Sequence, residues 1–367
     1  MSTVIREHKE PLIRISKRTH ISRPRAWGIR AIALVLALAV SGLVIFAIVK
    51  LSPIKVYGAM FQGAFGTAKR SWATIRDTMM LLCIGIGLAP AFKMKFWNIG
   101  AEGQALVGGI ATAACMIYFK SLPTPLLFLV MIICSVVAGC IWGLIPGVFK
   151  AKWNTNETLF TLMMNYVAIQ LTSYFVAKWE NPPGSNSVGI INPQPTDHAG
   201  WLPSLFGQPY LLNVIIVLLL AVAMFIYLKY SKHGYEIAVV GDSENTARYA
   251  GISVKKVFIR TMALSGAICG VAGFLAVSGA SHTISTSTAG GRGFTAIIVA
   301  WLAKFNTFVM ILISLLLVFM EKGAIEIASR YHLNDYASQI ITGILLFFIL
   351  GSEFFINYKI NFRRKHD

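Results

Sequence analysis

Five stretches of the chain, 31–49, 126–149, 158–177, 211–228 and 261–281, carry no charged residue. Each is close to the length a helix needs to cross a bilayer, about 20 apolar residues. A soluble protein can bury one such run in its core, but five in 367 residues have no soluble explanation. A soluble domain would also carry about a quarter charged residues, whereas here 13% are charged and 56% hydrophobic. The reading is an all-α integral membrane protein solvated by a lipid bilayer.

Hydropathy and parity together give about ten transmembrane helices: 30–49, 72–92, 99–119, 126–149, 158–178, 210–228, 260–280, a short piece at 294–304, 306–321 and 336–357. The formal charge of +18 is distributed to match. Arg6, Lys9, Arg14, Lys17, Arg18, Arg23, Arg25 and Arg30 precede the first apolar run. Lys229, Lys232, Lys255, Lys256 and Arg260 bracket one interior polar loop, and Lys359, Arg363, Arg364 and Lys365 follow the last run. The stretch 179–210 contains no Lys or Arg, and it has Trp179 and Trp201 near its ends. Positive charge gathers on the cytoplasmic side of membrane proteins and tryptophan at the interface. The basic residues therefore orient the chain and do not indicate nucleic acid. The segment 1–29 becomes a basic cytoplasmic segment and 30–358 the membrane domain, with an external loop at 179–210 and a cytoplasmic loop at 229–259. The tail 359–367 is again cytoplasmic. Parity closes only if 294–304 crosses, or nearly crosses, as a separate short element.

The first apolar run is longer than a signal-peptide core, and no clear small-x-small cleavage site follows it, so it is read as a retained span. Cys83, Cys115, Cys134, Cys140 and Cys269 all fall in apolar stretches without C-x-x-C spacing. They read as small buried hydrophobes. The seven histidines are scattered and show no metal-ligand spacing, and no clustered acid, base or nucleophile suggests catalysis. No cofactor or metal is expected. Gly139, Gly143 and Gly147 recur at four-residue spacing, which favours close helix packing over a ligand role.

The most informative segment is Phe96-Trp97-Asn98-Ile99-Gly100-Ala101-Glu102-Gly103-Gln104. An acid at membrane depth must face a cavity or a partner, and the two glycines permit a broken helix, which lipid tolerates only where protein or water surrounds it. A polar cytoplasmic turn with ordinary capping fits the same residues. Among the acids, Glu102 alone is placed convincingly against the spans. Asn165 lies deeper in its span and suits a bond to a neighbouring helix or to a polar solute. Gly290-Gly291-Arg292-Gly293 is too polar for lipid and is no phosphate loop; Arg292 suits contact with a substrate or with a binding protein on the outer side, or an interfacial structural role. In the cytoplasmic loop, Asp242 or Ser243 suits a helix N-cap and Gly251 a C′ position. The helix between them is too short to stand alone in water, so it either docks on a partner or lies as a connector on the membrane face.

The aromatic-Asn-Ile-Gly-x-Glu-Gly-Gln segment resembles the signature of the ABC importer permeases for ribose, galactose, nucleosides and branched-chain amino acids. Three further stretches agree in order: Asn156-Glu157-Thr158 with 161–166, Ala247-Arg248-Tyr249-Ala250-Gly251-Ile252, and Gly291-Arg292-Gly293-Phe294-Thr295-Ala296-Ile297. Trp97 and the basic N-terminal extension look most like the larger permease of nucleoside or simple-sugar systems. The resemblance implies a translocating subunit in a bacterial plasma membrane, driven by a separate ATPase. It also implies a second homologous permease and an extracytoplasmic solute-binding lipoprotein as partners. It places Asn98, Gly100, Glu102, Gly103, Gln104, Asn165 and Arg292 along the broken-helix region of the path. Gly241, Asp242, Ser243, Glu244, Asn245, Ala247, Arg248 and Gly251 fall where the family has its ATPase-coupling helix, although Gly-Asp-Ser-Glu replaces the usual Gly-Glu-Asn-Pro entry. The competing readings are a stand-alone H⁺- or Na⁺-coupled transporter and, for the solute, ribose- or galactose-type sugars.

Overall fold

A computed structural model describes residues 13–18, 22–49, 52–193, 198–332, 340, 343–344, 347–348, 351–352, 354–356 and 358–362. The expected last span, 336–357, falls largely outside these residues, as do Arg6, Lys9, Arg363, Arg364 and Lys365. Twelve α-helices are described: α1 (Arg23–Val49), α2 (Pro53–Phe65), α3 (Ala68–Lys93), α4 (Ala101–Tyr118), α5 (Thr124–Trp153), α6 (Glu157–Lys178), α7 (Leu211–Tyr230), α8 (Lys232–Asp242), α9 (Glu244–Tyr249), α10 (Val254–Ala276), α11 (Arg292–Leu302) and α12 (Thr307–Arg330). A π-turn, Val277–Ser281, extends α10.

Six of these elements are long and apolar enough to cross a membrane: Ala68–Lys93, Thr124–Trp153, Glu157–Lys178, Leu211–Tyr230, Val254–Ser281 and Thr307–Arg330. The expected spans at 72–92, 126–149, 158–178, 210–228, 260–280 and 306–321 coincide with them, two starting one residue early. The short piece expected at 294–304 is α11, whose 11 residues reach about 16 Å, half a bilayer core. The 13-residue helix α2, which starts with Pro53 in its first turn, lies outside every expected span.

The chain forms two compact units, Met1–Gly66 with Phe319–Asp367, and Thr67–Val318. In the first, Phe65 stacks on Phe319 at 6.0 Å and Arg330 donates to Gln62 Oε1 at 2.6 Å. The same unit holds the one departure from an all-α fold among the described residues. Strand β1 (Ile13–Lys17) pairs antiparallel with β2 (Tyr358–Phe362), Ile15 opposite Ile360. Ile-Arg-Ile-Ser-Lys and Tyr-Lys-Ile-Asn-Phe both alternate apolar and polar residues, the two-residue period of a strand. Their basic residues had marked them only as tails.

In the second unit, α3 and α10 are buried along most of their length and α5 crosses α10 on a seam of glycines. A Cβ at Gly139 would collide with the Gly266 carbonyl, and one at Gly143 with the Met262 carbonyl. Backbones meet here because no side chain intervenes, the close-packing role that the four-residue spacing suggests. Away from the seam, Leu129, Ile133, Val137 and Ile141 form an exposed apolar stripe on α5, as do Leu219, Val222 and Ile226 on α7. Stripes of that extent are at home against lipid, not water.

Candidate functional site

The helix α3 ends at Lys93 and α4 starts at Ala101, so the chain between them is free of helix. Lys95 takes φ +60°, and the Phe96 N–H reaches back to the Ala91 carbonyl at 3.0 Å. Trp97 stacks on Trp301 at 5.4 Å, near the end of α11. The polar residues that follow bond one another and their neighbours. Asn98 is fully buried; its Nδ2 donates to Ser265 Oγ at 3.0 Å and its Oδ1 accepts the Gly100 N–H at 3.0 Å. Gln104 and Asn98 exchange longer contacts of 3.4 Å. Asn165 on α6 accepts the Gly103 N–H at 2.8 Å and donates to the Ile99 carbonyl at 2.9 Å. Thr161, one turn earlier, accepts the Ile99 N–H at 3.1 Å. Of the two roles open to Asn165, the helix-to-helix bond is the one seen.

Glu102 is 6% exposed. Its two oxygens accept the N–H groups of Gly291 and Gly293, each at 2.7 Å. The start of α11 has no side-chain cap of its own, so a carboxylate from α4 caps it from across the fold. The cap satisfies orphan donors and places negative charge at the positive end of the helix. Both glycines are required by this geometry. Gly291 has φ +75°, and a Cβ at Gly293 would come within 2.5 Å of the Glu102 backbone nitrogen. Lipid exposure of Glu102 and a position out in an aqueous loop are both excluded.

Arg292, between those glycines, reaches Asp77 on α3 at 3.4 Å, and Arg76 reaches the same carboxylate oxygen at 2.9 Å. Arg76 also donates to the Tyr210 hydroxyl at 3.4 Å and lies over its ring. Two guanidiniums thus share one carboxylate that is 2% exposed, and α3, α7 and α11 are tied together. Asp77 is a buried acid inside a span, which corrects the reading that Glu102 alone held such a place. Its signal was available, since an ionisable residue within an apolar span marks a site. Asp77 lies about 24 Å along α3 from Lys93 at 1.5 Å per residue. The start of α11, and Glu102 with it, is therefore set back well inside the bundle.

Toward the Lys93 end, α8 and α9 form a separate constellation. Ser243 is the N-cap of α9, accepting the Thr246 N–H at 3.3 Å, while Asp242 closes α8. Gly251 takes φ +75°; its N–H bonds the Arg248 carbonyl and the Ile252 N–H the Ala247 carbonyl, the paired bonds of a Schellman cap. Ala247 is wholly buried, but Glu244, Asn245, Arg248 and Tyr249 are exposed, Tyr249 to 94%. Glu244 and Arg248 pair along the outer face at 3.1 Å. Gly241 lies directly against the Lys93 carbonyl, so the end of α8 sits on the end of α3. The structure thus makes two groups of the expected residues, one around Glu102 and one on α9. All five cysteines are free. Among the described residues no group of three or more His, Cys, Asp or Glu is placed to hold a metal.

Residues 72–350 match the family described as branched-chain amino acid transport system / permease component. The chain belongs to this permease family. Over 88% of its length it is 30% identical to the guanosine ABC transporter permease protein NupP of Bacillus subtilis, covering 92% of that protein. It is 28% identical to the glucose ABC transporter permease protein TsgB13 of Haloferax volcanii, over 91% of this chain and 90% of that one. It is 27% identical to the nucleoside ABC transporter permease protein NupB of Lactococcus lactis subsp. cremoris, over 84% and 88%. No solved structure matches. The Glu102 cap and the α9 segment both lie inside the part of the permease that the family match covers.

Proposed function

We propose that this permease is the translocating subunit of a bacterial ABC importer for nucleosides or related sugar-containing solutes. The observation that carries the reading is the near full-length similarity to the guanosine and nucleoside permeases. That similarity argues against the stand-alone ion-coupled transporter. A separate ATPase, a second homologous permease and an extracytoplasmic solute-binding lipoprotein complete the assembly. The Glu102 cap holds the half-length helix α11 inside the bundle, and unwound backbone at such depth is tolerated only beside protein or a water-filled path. Asn98, Gly100, Gly103, Gln104 and Asn165 build the break, and Arg292 fixes its outer side; they shape the path without a claim on the solute. Uptake of labelled guanosine, uridine, ribose and glucose into proteoliposomes holding the assembled transporter tests the reading. Nucleosides are expected to enter with ATP and binding protein present; uptake of none of the four would reject it.

In this reading about ten helices cross the plasma membrane, both ends of the chain are cytoplasmic, and 179–210 is external. The β1–β2 pairing supports an even number of crossings between residues 17 and 358, because an open two-stranded ribbon stays on one side of the bilayer. Residues 241–251 then face the ATPase: α9 offers it the exposed side of a short, doubly capped helix. A cysteine replacing Ser243 is expected to resist an impermeant thiol reagent in intact cells, while one replacing Ser204 is labelled. Efficient labelling at position 243 would invert the topology.

A further inference from the structure

The group around Glu102 and the group on α9 are joined by an unbroken line of contacts through the end of α3. Its first contact is stiff. Gly241 sets its bare backbone on the Lys93 carbonyl, and a Cβ there would overlap that oxygen. Backbone packed on backbone passes on a displacement without the slack of a side-chain rotamer. Lys93 is held from a second side too, because its Nζ donates to the Leu228 carbonyl, near the end of α7, at 3.3 Å. Beyond Lys93 the chain leaves its helix. Lys95 takes φ +60°, a conformation that a non-glycine residue keeps only where its surroundings enforce it.

The far end of the line is aromatic. Phe92, 1% exposed, meets Trp97 edge-on and Trp301 at a tilt, each at 5.9 Å. Trp97 and Trp301 stack at 5.4 Å, and Phe305 closes on Trp301 at 5.4 Å. The last turn of α11 is thus clasped by residues from both sides of Lys93. Its first turn is pinned by other partners, Glu102 and Asp77. A short helix fixed at one end and gripped at the other turns about its fixed end when the grip moves. Room for movement lies beside the first contact. A cavity of about 170 Å³ separates Lys95 and Phe96 from the α8–α9 junction at 242–244. Lys95, Asp242 and Glu244 make its lining polar, so water can leave as the walls approach.

We propose that Gly241, Lys93 and the Trp97–Trp301 stack form a relay that turns α11 about its Glu102 cap when α9 is displaced, with Trp97 as a positioning residue for transport. The proposal rests on the reading above that α9 faces the ATPase. Coupling between two sites is reciprocal. A relay that carries movement from the ATPase to α11 also reports the state of the path back to the ATPase. Cutting it removes the stimulation of hydrolysis by loaded binding protein and leaves the basal rate.

The test uses the assembled transporter in proteoliposomes, with a mixture of guanosine, uridine, ribose and glucose as solute. Trp97→Ala is expected to keep basal ATP hydrolysis within twofold, to lose its stimulation, and to lower uptake at least tenfold. Trp97 is 45% exposed, so the variant should fold. Trp97→Phe retains a ring and should recover at least half of both losses. Trp301→Ala should match Trp97→Ala, and the double variant should be no worse than either, since both remove one contact. Gly241→Ala, which wedges the first contact, should show the same split. Wild-type stimulation and uptake in both tryptophan-to-alanine variants would overturn the relay. So would basal hydrolysis and melting temperature falling in step with uptake, the mark of a merely structural role. Ala247→Pro, which disrupts α9 itself, is the control. If it stops transport and the tryptophan variants do not, only the relay falls; if it transports at the wild-type rate, the α9 reading falls and the relay with it.

Discussion

Glu102→Ala is expected to destabilise the permease by about 3–5 kcal/mol and to abolish transport. The substitution removes the acceptor from the Gly291 and Gly293 N–H groups, which have no other partner in the helix at that end. A buried donor left unsatisfied costs about 1–3 kcal/mol, and bonds to a charged acceptor lie at the upper end. The loss of a negative charge at the start of α11 adds to this. Glu102→Gln should fall between the two, because its amide oxygen keeps one bond while its NH₂ faces the other donor. Thermal unfolding in detergent and uptake in proteoliposomes read the two effects separately. An Ala variant with wild-type stability and uptake would show that the cap does not hold α11. A stable variant without uptake would move the role of Glu102 from architecture to the path itself.

The second large effect is expected at Ala247. Proline there deletes the N–H that bonds the Ser243 carbonyl at 3.0 Å and places its ring against that carbonyl. The direct penalty is about 3 kcal/mol, and it falls on a six-residue helix held by its caps and one buried methyl group. The helix α9 should unfold while the spans, which share none of these bonds, remain intact. Solute-stimulated ATP hydrolysis and uptake should therefore fall together, with the Glu102 cap undisturbed. Ala247→Gly is the milder companion, expected to reduce both partially. An assembled complex carrying the proline and transporting at the wild-type rate would return 241–251 to the role of a connector.

Some of this was settled by composition and spacing alone. Uncharged runs of spanning length admit no soluble fold, so the membrane class and the position of most long helices followed from hydropathy. The Gly139-Gly143-Gly147 spacing announced a close crossing because small side chains have few other uses at that period. The turn chemistry around Ser243 and Gly251 was likewise local, and local geometry is what sequence encodes most directly. Other features depended on residues far apart in the chain. Nothing near Glu102 names Gly291 and Gly293, which lie nearly 190 positions away; only the fold brings a carboxylate to that helix end. Asp77 and Arg76 are neighbours in the sequence, but the second guanidinium on that carboxylate, from Arg292, arrives through tertiary structure. The choice between a surface turn and a buried break at 94–100 was also tertiary: the same polar residues suit both, and Ser265 and Asn165 on neighbouring helices decide it by supplying the bonds that water would otherwise provide.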